Sequence, residues 1–172
     1  EILNMMKRNY TIKDFKNIIK GLRKEIKNIT VSTDVICGFP TETEKQFENT
    51  LNLMEEIKPD VINISRFWSR QGTSAAKMKQ LVSREITRRS HIMTDISEKI
   101  FADNNKKWIG WKCRVLITEK GKNNTLVGRN LEYKPVVIDN KELNSSKKAK
   151  LGDFVEVEIV DADVYYIKGK TN

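Results

Sequence analysis

The chain reads as an α/β half followed by an all-β half. Residues 1 to about 80 alternate helix-type and strand-type apolar patterns, 83–105 keeps one long helical period, and from Trp108 onward the apolar period drops to two. The second pattern, five short strands in about 65 residues, predicts a small closed antiparallel barrel of the oligonucleotide-binding kind.

In chain order, Glu1 to Tyr10 reads as a short helix cut off at its front. Thr11 with Asp14 three residues on predicts a capping box, and Phe15, Ile18, Ile19, Leu22 and Ile26 form the apolar stripe of the helix that follows. Residues 29–37 are apolar and β-branched apart from Ser32 and Asp34, as in a strand buried on both faces of a parallel sheet. Gly38-Phe39-Pro40 then turns the chain into a helix at whose start Thr41 and Glu44 have capping-box spacing. A corner between strand end and helix start is where open α/β folds and βα barrels bind ligands, although an ordinary connecting loop has the same pattern. Phe47, Leu51, Met54 and Ile57 share one side of that helix and Pro59 stops it; residues 61–67 form a second strand, followed by the loop 68–73. Short links between these elements predict a right-handed βαβ arrangement. Two such units are too few to close a barrel, so residues 1–82 are expected to be the tail of a larger α/β domain.

Residues 83–107 read as a connecting helix with Ile86, Met93, Ile96 and Ile100 on one stripe and Phe101 beside it. Lys77, Lys79, Arg84, Arg88 and Arg89 cluster at its start, opposed there only by Glu85: either a solvated basic face or an RNA-facing ridge. His91, the single histidine, reads as structural. Residues 108–172 hold the five strands, at 114–118, 126–130, 135–138, 154–160 and 164–168, with the polar stretch 140–150 between the third and fourth. Lys112, Arg114, Lys120, Lys122, Arg129 and Lys134 are candidates for a phosphate-contacting face and Tyr133 for a stacking ring, while Glu156 and Glu158 make part of the surface acidic.

Lys and Arg total 32 against 23 Asp and Glu, a net charge of +9 in 172 residues. Such an excess suits RNA or DNA as partner, and a Lys-biased proteome is the plainer source of it. No apolar run approaches the roughly 20 residues that span a bilayer, and no secretory signal pattern opens the chain. The two cysteines, Cys37 and Cys113, cannot make a metal site by themselves, and a reducing cytoplasm is the simplest location.

Taken in order, Met6-Lys7-Arg8-x-Tyr10, Thr33-Asp34-Val35-Ile36-Cys37-Gly38-Phe39-Pro40-x-Glu42-Thr43, Phe47-x-x-Thr50, Asn63-x-x-x-Phe67, Arg70-x-Gly72-Thr73-x-Ala75-Ala76-Lys77-Met78 and the closing small barrel resemble the carboxyl-terminal part of the radical S-adenosylmethionine tRNA methylthiotransferases. Cys37 before Gly38-Phe39-Pro40 and the run Ala75 to Met78 are most similar to the archaeal and eukaryotic branch, which acts on N6-threonylcarbamoyladenosine beside the anticodon. The resemblance implies that residues 1–82 are the last βα units of a partial TIM-like barrel and 108–172 a TRAM domain gripping tRNA. It implies S-adenosylmethionine and iron–sulfur clusters in the full-length parent. The cluster cysteines are absent here, so the chain carries no catalytic or metal-ligating residue and should be inactive alone. Gly38, Phe39 and Pro40 would lie beside the adenosine, Gly38 letting backbone groups approach it; Phe67 and Arg70 would line the other side, with Arg8 a further candidate. Salt bridges of Arg8 and Arg70 to Asp34 or Glu42 are the alternative. Thr41 stands where the family usually has Gly, and Gln71 and Ser74 where it has Pro; Thr41 should improve the helix cap. A non-catalytic RNA-binding adaptor, or a sister methylthiotransferase acting on a ribosomal protein or on isopentenyladenosine tRNA, fits the same fold. Exposed sheet edges could also pair two copies.

Overall fold

A computed structural model describes residues 1–139 and 149–171. Most of the polar connection 140–150 therefore lies outside the described residues. The chain divides into two compact units, Glu1–Ile100 and Phe101–Asn172.

The first unit opens with α1 (Ile2–Met5), a single turn that ends at Lys7 in a left-handed conformation. Helix α2 (Ile12–Glu25) starts with the expected reciprocal cap between Thr11 and Asp14. Its apolar stripe splits. Phe15 and Ile19 pack with Ile29, Val31, Leu53 and Ile57, whereas Ile18, Leu22 and Ile26 face outward, Ile18 at 59% exposure. One residue is 100° of helical rotation, so a stripe as wide as Ile18 plus Ile19 needs more sheet than two strands supply. Strands β1 (Ser32–Cys37) and β2 (Val61–Arg66) pair in parallel, Ser32 opposite Val61 through Cys37 opposite Arg66, and helix α3 (Glu44–Ile57) connects them. Burial along β1 alternates, with Val35 and Cys37 inside and Ile36 half out. The expectation of a strand covered on both faces is corrected: one helix layer covers one face.

Helix α3 is capped by Thr43 and Gln46, not by Thr41 and Glu44 as the spacing suggested. Phe47, Met54 and Ile57 are buried, Leu51 partly so, and Lys58 ends the helix in a left-handed conformation before Pro59. After β2 the chain makes a short 3-10 turn at Ser74–Lys77 and enters α4 (Ser83–Lys106).

In the second unit the strands are β3 (Lys112–Lys120), β4 (Thr125–Arg129), β5 (Pro135–Asp139), β6 (Phe154–Ala162) and β7 (Ile167–Lys170). They close into a barrel in the order β3-β4-β5-β7-β6. All neighbours are antiparallel except β5 and β7, which run parallel with Val136 opposite Ile167. The all-antiparallel expectation is thereby corrected. The last strand also starts later than expected. Asp163 closes a turn with Tyr166, and Asn105 donates to the carbonyls of Asp163 and Val164, so Val164 to Tyr166 are held off the ladder. Inward-facing Val115, Ile117, Leu126, Val136, Ile138, Val157, Ile159 and Ile167 fill the barrel, and Trp108 is buried in the same cluster.

The interior has no spare volume at Gly128. A Cβ there would sit 2.4 Å from the Leu116 carbonyl oxygen and 2.4 Å from a Val115 methyl. Gly128→Ala should therefore destabilise the barrel by roughly 1–3 kcal/mol, read as a lower denaturant midpoint with unchanged m-value.

Candidate functional sites

In the first unit, β1 delivers the chain into Gly38 at φ +79°, a region open to glycine. The sequence suggested that Gly38 leaves room for a ligand. The structure gives that room to Ile86: a Cβ on Gly38 would lie 2.6 Å from its Cγ1. The Gly38 N–H is also engaged, donating to Glu42 Oε2 at 3.2 Å. Phe39 and Pro40 are buried, and Phe39 meets Phe67 edge to face with ring centroids 5.4 Å apart. The Phe67 N–H donates to the Cys37 carbonyl, extending the pairing of the two strands beyond their ends. Gly38, Phe39, Pro40 and Phe67 are thus brought together, as a closed packed corner.

What pins this corner is a buried ion pair. Arg89 and Glu42, 4% and 6% exposed along their side chains, meet at 2.8 Å, and Arg89 also donates to the Glu42 carbonyl at 3.1 Å. Arg89 Nε reaches Glu85 at 2.7 Å, and the guanidinium lies 5.2 Å from the centre of the Phe47 ring. Burial would discharge Arg89, but its hydrogen bonds to Glu85 and Glu42 outweigh that and raise its pKa above the ordinary value. Hydrogen bonds from Arg88 and then Arg89 pull Glu85 down to about 2. Arg88 bridges Glu85 to Glu44. Two of the five cations at the start of α4, Arg88 and Arg89, are therefore committed to acids, while Lys77, Lys79 and Arg84 are exposed. Glu42 and Glu44, more than forty residues away in sequence, could not be seen as partners of Arg88 and Arg89 from local spacing.

Arg70 and Arg8 are exposed, and no ion pair holds either among the described residues. The salt bridges considered for them do not form, since Asp34 accepts from Asn63 and Glu42 takes Arg89. A pair missed at the sequence level sits at the end of β2: Arg66 donates to Ser90 Oγ at 2.8 Å and faces His91 Nε2 at 3.3 Å. Both cysteine thiols are pushed up to about 11, first by burial and then by nearby acids, Glu42 for Cys37 and Glu132 with Glu156 for Cys113.

In the second unit the outward positions of β3 are Lys112, Arg114, Leu116 and Thr118. Leu116 lies opposite Phe154 of β6 on one side and Arg129 of β4 on the other. The Arg114 guanidinium carbon is 4.1 Å from the centre of the Phe154 ring, and that of Arg129 is 5.1 Å from the Tyr133 ring. Lys112 pairs with Glu158 at 3.6 Å, and Lys120 and Lys122 are exposed at the β3–β4 turn. Lys134 is a correction. It is buried at 4% exposure with its ammonium on Asn105 Oδ1, so it faces away from any phosphate. It anchors a turn closed by Asn130, whose side chain accepts the Lys134 N–H and whose carbonyl accepts the Tyr133 N–H. Tyr133 is left outside at 71% exposure, with φ +66°.

Three outcomes test the pinned corner. Thr41 has φ +68°, a conformation that costs a β-branched residue energy and that the cap does not repay; Thr41→Gly should raise stability by about 1 kcal/mol in chemical denaturation. Arg89→Ala should lower it by about 3–5 kcal/mol by stranding Glu42. Arg89→Met with Glu42→Gln should lose less than Arg89→Ala, because a neutral Gln still accepts the Gly38 N–H.

The TRAM domain family matches residues 106–171. A Methanocaldococcus jannaschii protein named "Probable threonylcarbamoyladenosine tRNA methylthiotransferase" is 40% identical over 99% of this chain and 37% of its own length. Proteins of Xenopus laevis and Homo sapiens named threonylcarbamoyladenosine tRNA methylthiotransferase are 35% and 33% identical over 98% of this chain, and over 29% and 28% of their own lengths. The chain thus spans between a quarter and two-fifths of the length of these relatives. A match running through both units, with a TRAM domain in the second, means that this chain belongs to the archaeal and eukaryotic threonylcarbamoyladenosine tRNA methylthiotransferase family.

Proposed function

We propose that the chain is the carboxyl-terminal, RNA-holding part of a cytoplasmic enzyme that adds a methylthio group to C2 of N6-threonylcarbamoyladenosine in tRNA. The observation that carries this reading is the match of relatives bearing that activity in their names to 98–99% of the chain. In this reading residues 1–82 are the last βα units of a partial barrel, 83–107 the connecting helix and 108–172 the tRNA grip.

Radical S-adenosylmethionine chemistry in the parent would need an iron–sulfur cluster, and clusters need thiolate ligands. The residues here do not fit one. The chain has two cysteines, one in each unit, both held as thiols by burial. No step of the chemistry is assigned to them, and the chain alone is inactive in this reading. For the S-adenosylmethionine contact, the Gly38 N–H is already engaged, so Gly38, Phe39, Pro40 and Phe67 act as a rigid backing. Exposed Arg70 and Arg8 are the groups able to donate to a carboxylate. The cysteine inventory by itself also fits a non-catalytic RNA-binding adaptor.

The tRNA affinity of the chain should fall steeply with salt. Arg114→Ala with Arg129→Ala should weaken it and make the log–log slope shallower by about 2, and an unchanged slope would remove both residues from the interface. Methylthiolation by the whole parent, lost when residues 108–172 are deleted, supports the enzyme reading; a parent with no such activity supports the adaptor.

A further inference from the structure

Which part of an RNA the barrel takes is not stated by the family match, and the outer face of β6-β3-β4 bears on it directly. Phe154, Leu116 and Arg129 occupy one cross-strand row on three adjacent strands. Neighbouring strands are about 4.8 Å apart, so the two ends of the row are separated by about 10 Å, with an apolar side chain between them. At each end an arginine lies against an aromatic ring, Arg114 on Phe154 and Arg129 on Tyr133. Both rings remain open to solvent, at 56% and 71%. Leaving two large rings exposed is unfavourable in water, and at Tyr133 the chain adds a left-handed backbone to do so. The turn is built around this placement, with Asn130 closing it and Lys134 anchoring it from inside.

The charges on this face do not make a continuous phosphate track, although Arg114 and Arg129 can each offset one phosphate. Arg114 stands opposite Glu156, and Lys112 is paired with Glu158. A duplex, which offers phosphates outward and keeps its bases stacked inside, gains little from rings and loses to the acids. Unstacked bases have the complementary chemistry: a π-face for each ring or guanidinium plane, and less negative charge to bring near Glu156 and Glu158.

We infer that the β6-β3-β4 face is a two-position stacking platform that takes the bases of an unpaired RNA segment, one at Arg114–Phe154 and one at Arg129–Tyr133. This rests on the reading of the barrel as an RNA grip and specifies what it grips. Leu116 is the floor between the two positions, and the guanidiniums supply cation–π contact to the bases as well as charge.

The test uses the whole chain with three fluorescent RNAs: a seven-nucleotide single strand, a duplex of the same strand, and a tRNA. The single strand should bind at least tenfold more tightly than the duplex. Phe154→Leu, which keeps an exposed apolar residue, and Tyr133→Asn, which tolerates the left-handed backbone, should each weaken single-strand binding about tenfold while leaving the salt slope unchanged. Because both rings are exposed, circular dichroism and the melting temperature should stay at the parent values. Equal affinity for single strand and duplex, or single-strand binding unchanged in both folded variants while tRNA still binds, would overturn the platform and leave the RNA grip standing. Absence of binding to any of the three RNAs would overturn both.

Discussion

A ring of five strands must contain at least one parallel neighbour pair, because directions can alternate only around an even number, and the β5–β7 contact is that pair. The rest of the second unit follows from this closure. The β6–β7 hairpin has to enter with β6 antiparallel to β3, which puts Phe154 against Leu116 and completes the outer row with Arg129. An open sheet with the same strands would leave two edges. Closure also sets the inner limit: the barrel is narrow enough that β4 passes with a glycine where β3 comes closest.

The first unit depends on a polar interaction instead. Glu42 and Arg89 are removed from water together, and the desolvation of each is offset by multiple hydrogen bonds: Glu42 also takes the Gly38 N–H, and Arg89 also reaches the Glu42 carbonyl and Glu85. The pair ties the turn after β1 to the start of α4, and it places Ile86 where a Gly38 side chain would be. The same glycine that suggested an open ligand approach is therefore explained by packing, while positive φ excludes other residues on independent grounds.

Much of the architecture was legible because it is local. Thr11 and Asp14 announce a helix start three residues apart, the two-residue period of Val155, Val157 and Ile159 announces a half-buried strand, and Pro59 marks a stop. Boundaries were less legible where two signals compete. Thr41 and Thr43 each have a capping partner three residues on, and what decides between them is that Thr41 is carried into a left-handed turn. The α2 stripe looked uniform because sequence shows how wide an apolar face is, not how much sheet lies beneath it.

The sequence by itself determined the order of the elements, the change from helix-linked strands to a barrel and the family resemblance, since these rest on periodicity and motifs within a few residues. Only the tertiary structure decided which charges are free. Arg88, Arg89 and Lys134 read as surface cations in sequence, yet their charges are taken up by Glu42, Glu44 and Glu85, or by Asn105. Arg114 and Arg129 read the same way and stand outside, each against a ring. A charge is free or committed according to what lies within a few ångströms, and chain distance carries no information about that once the chain has folded.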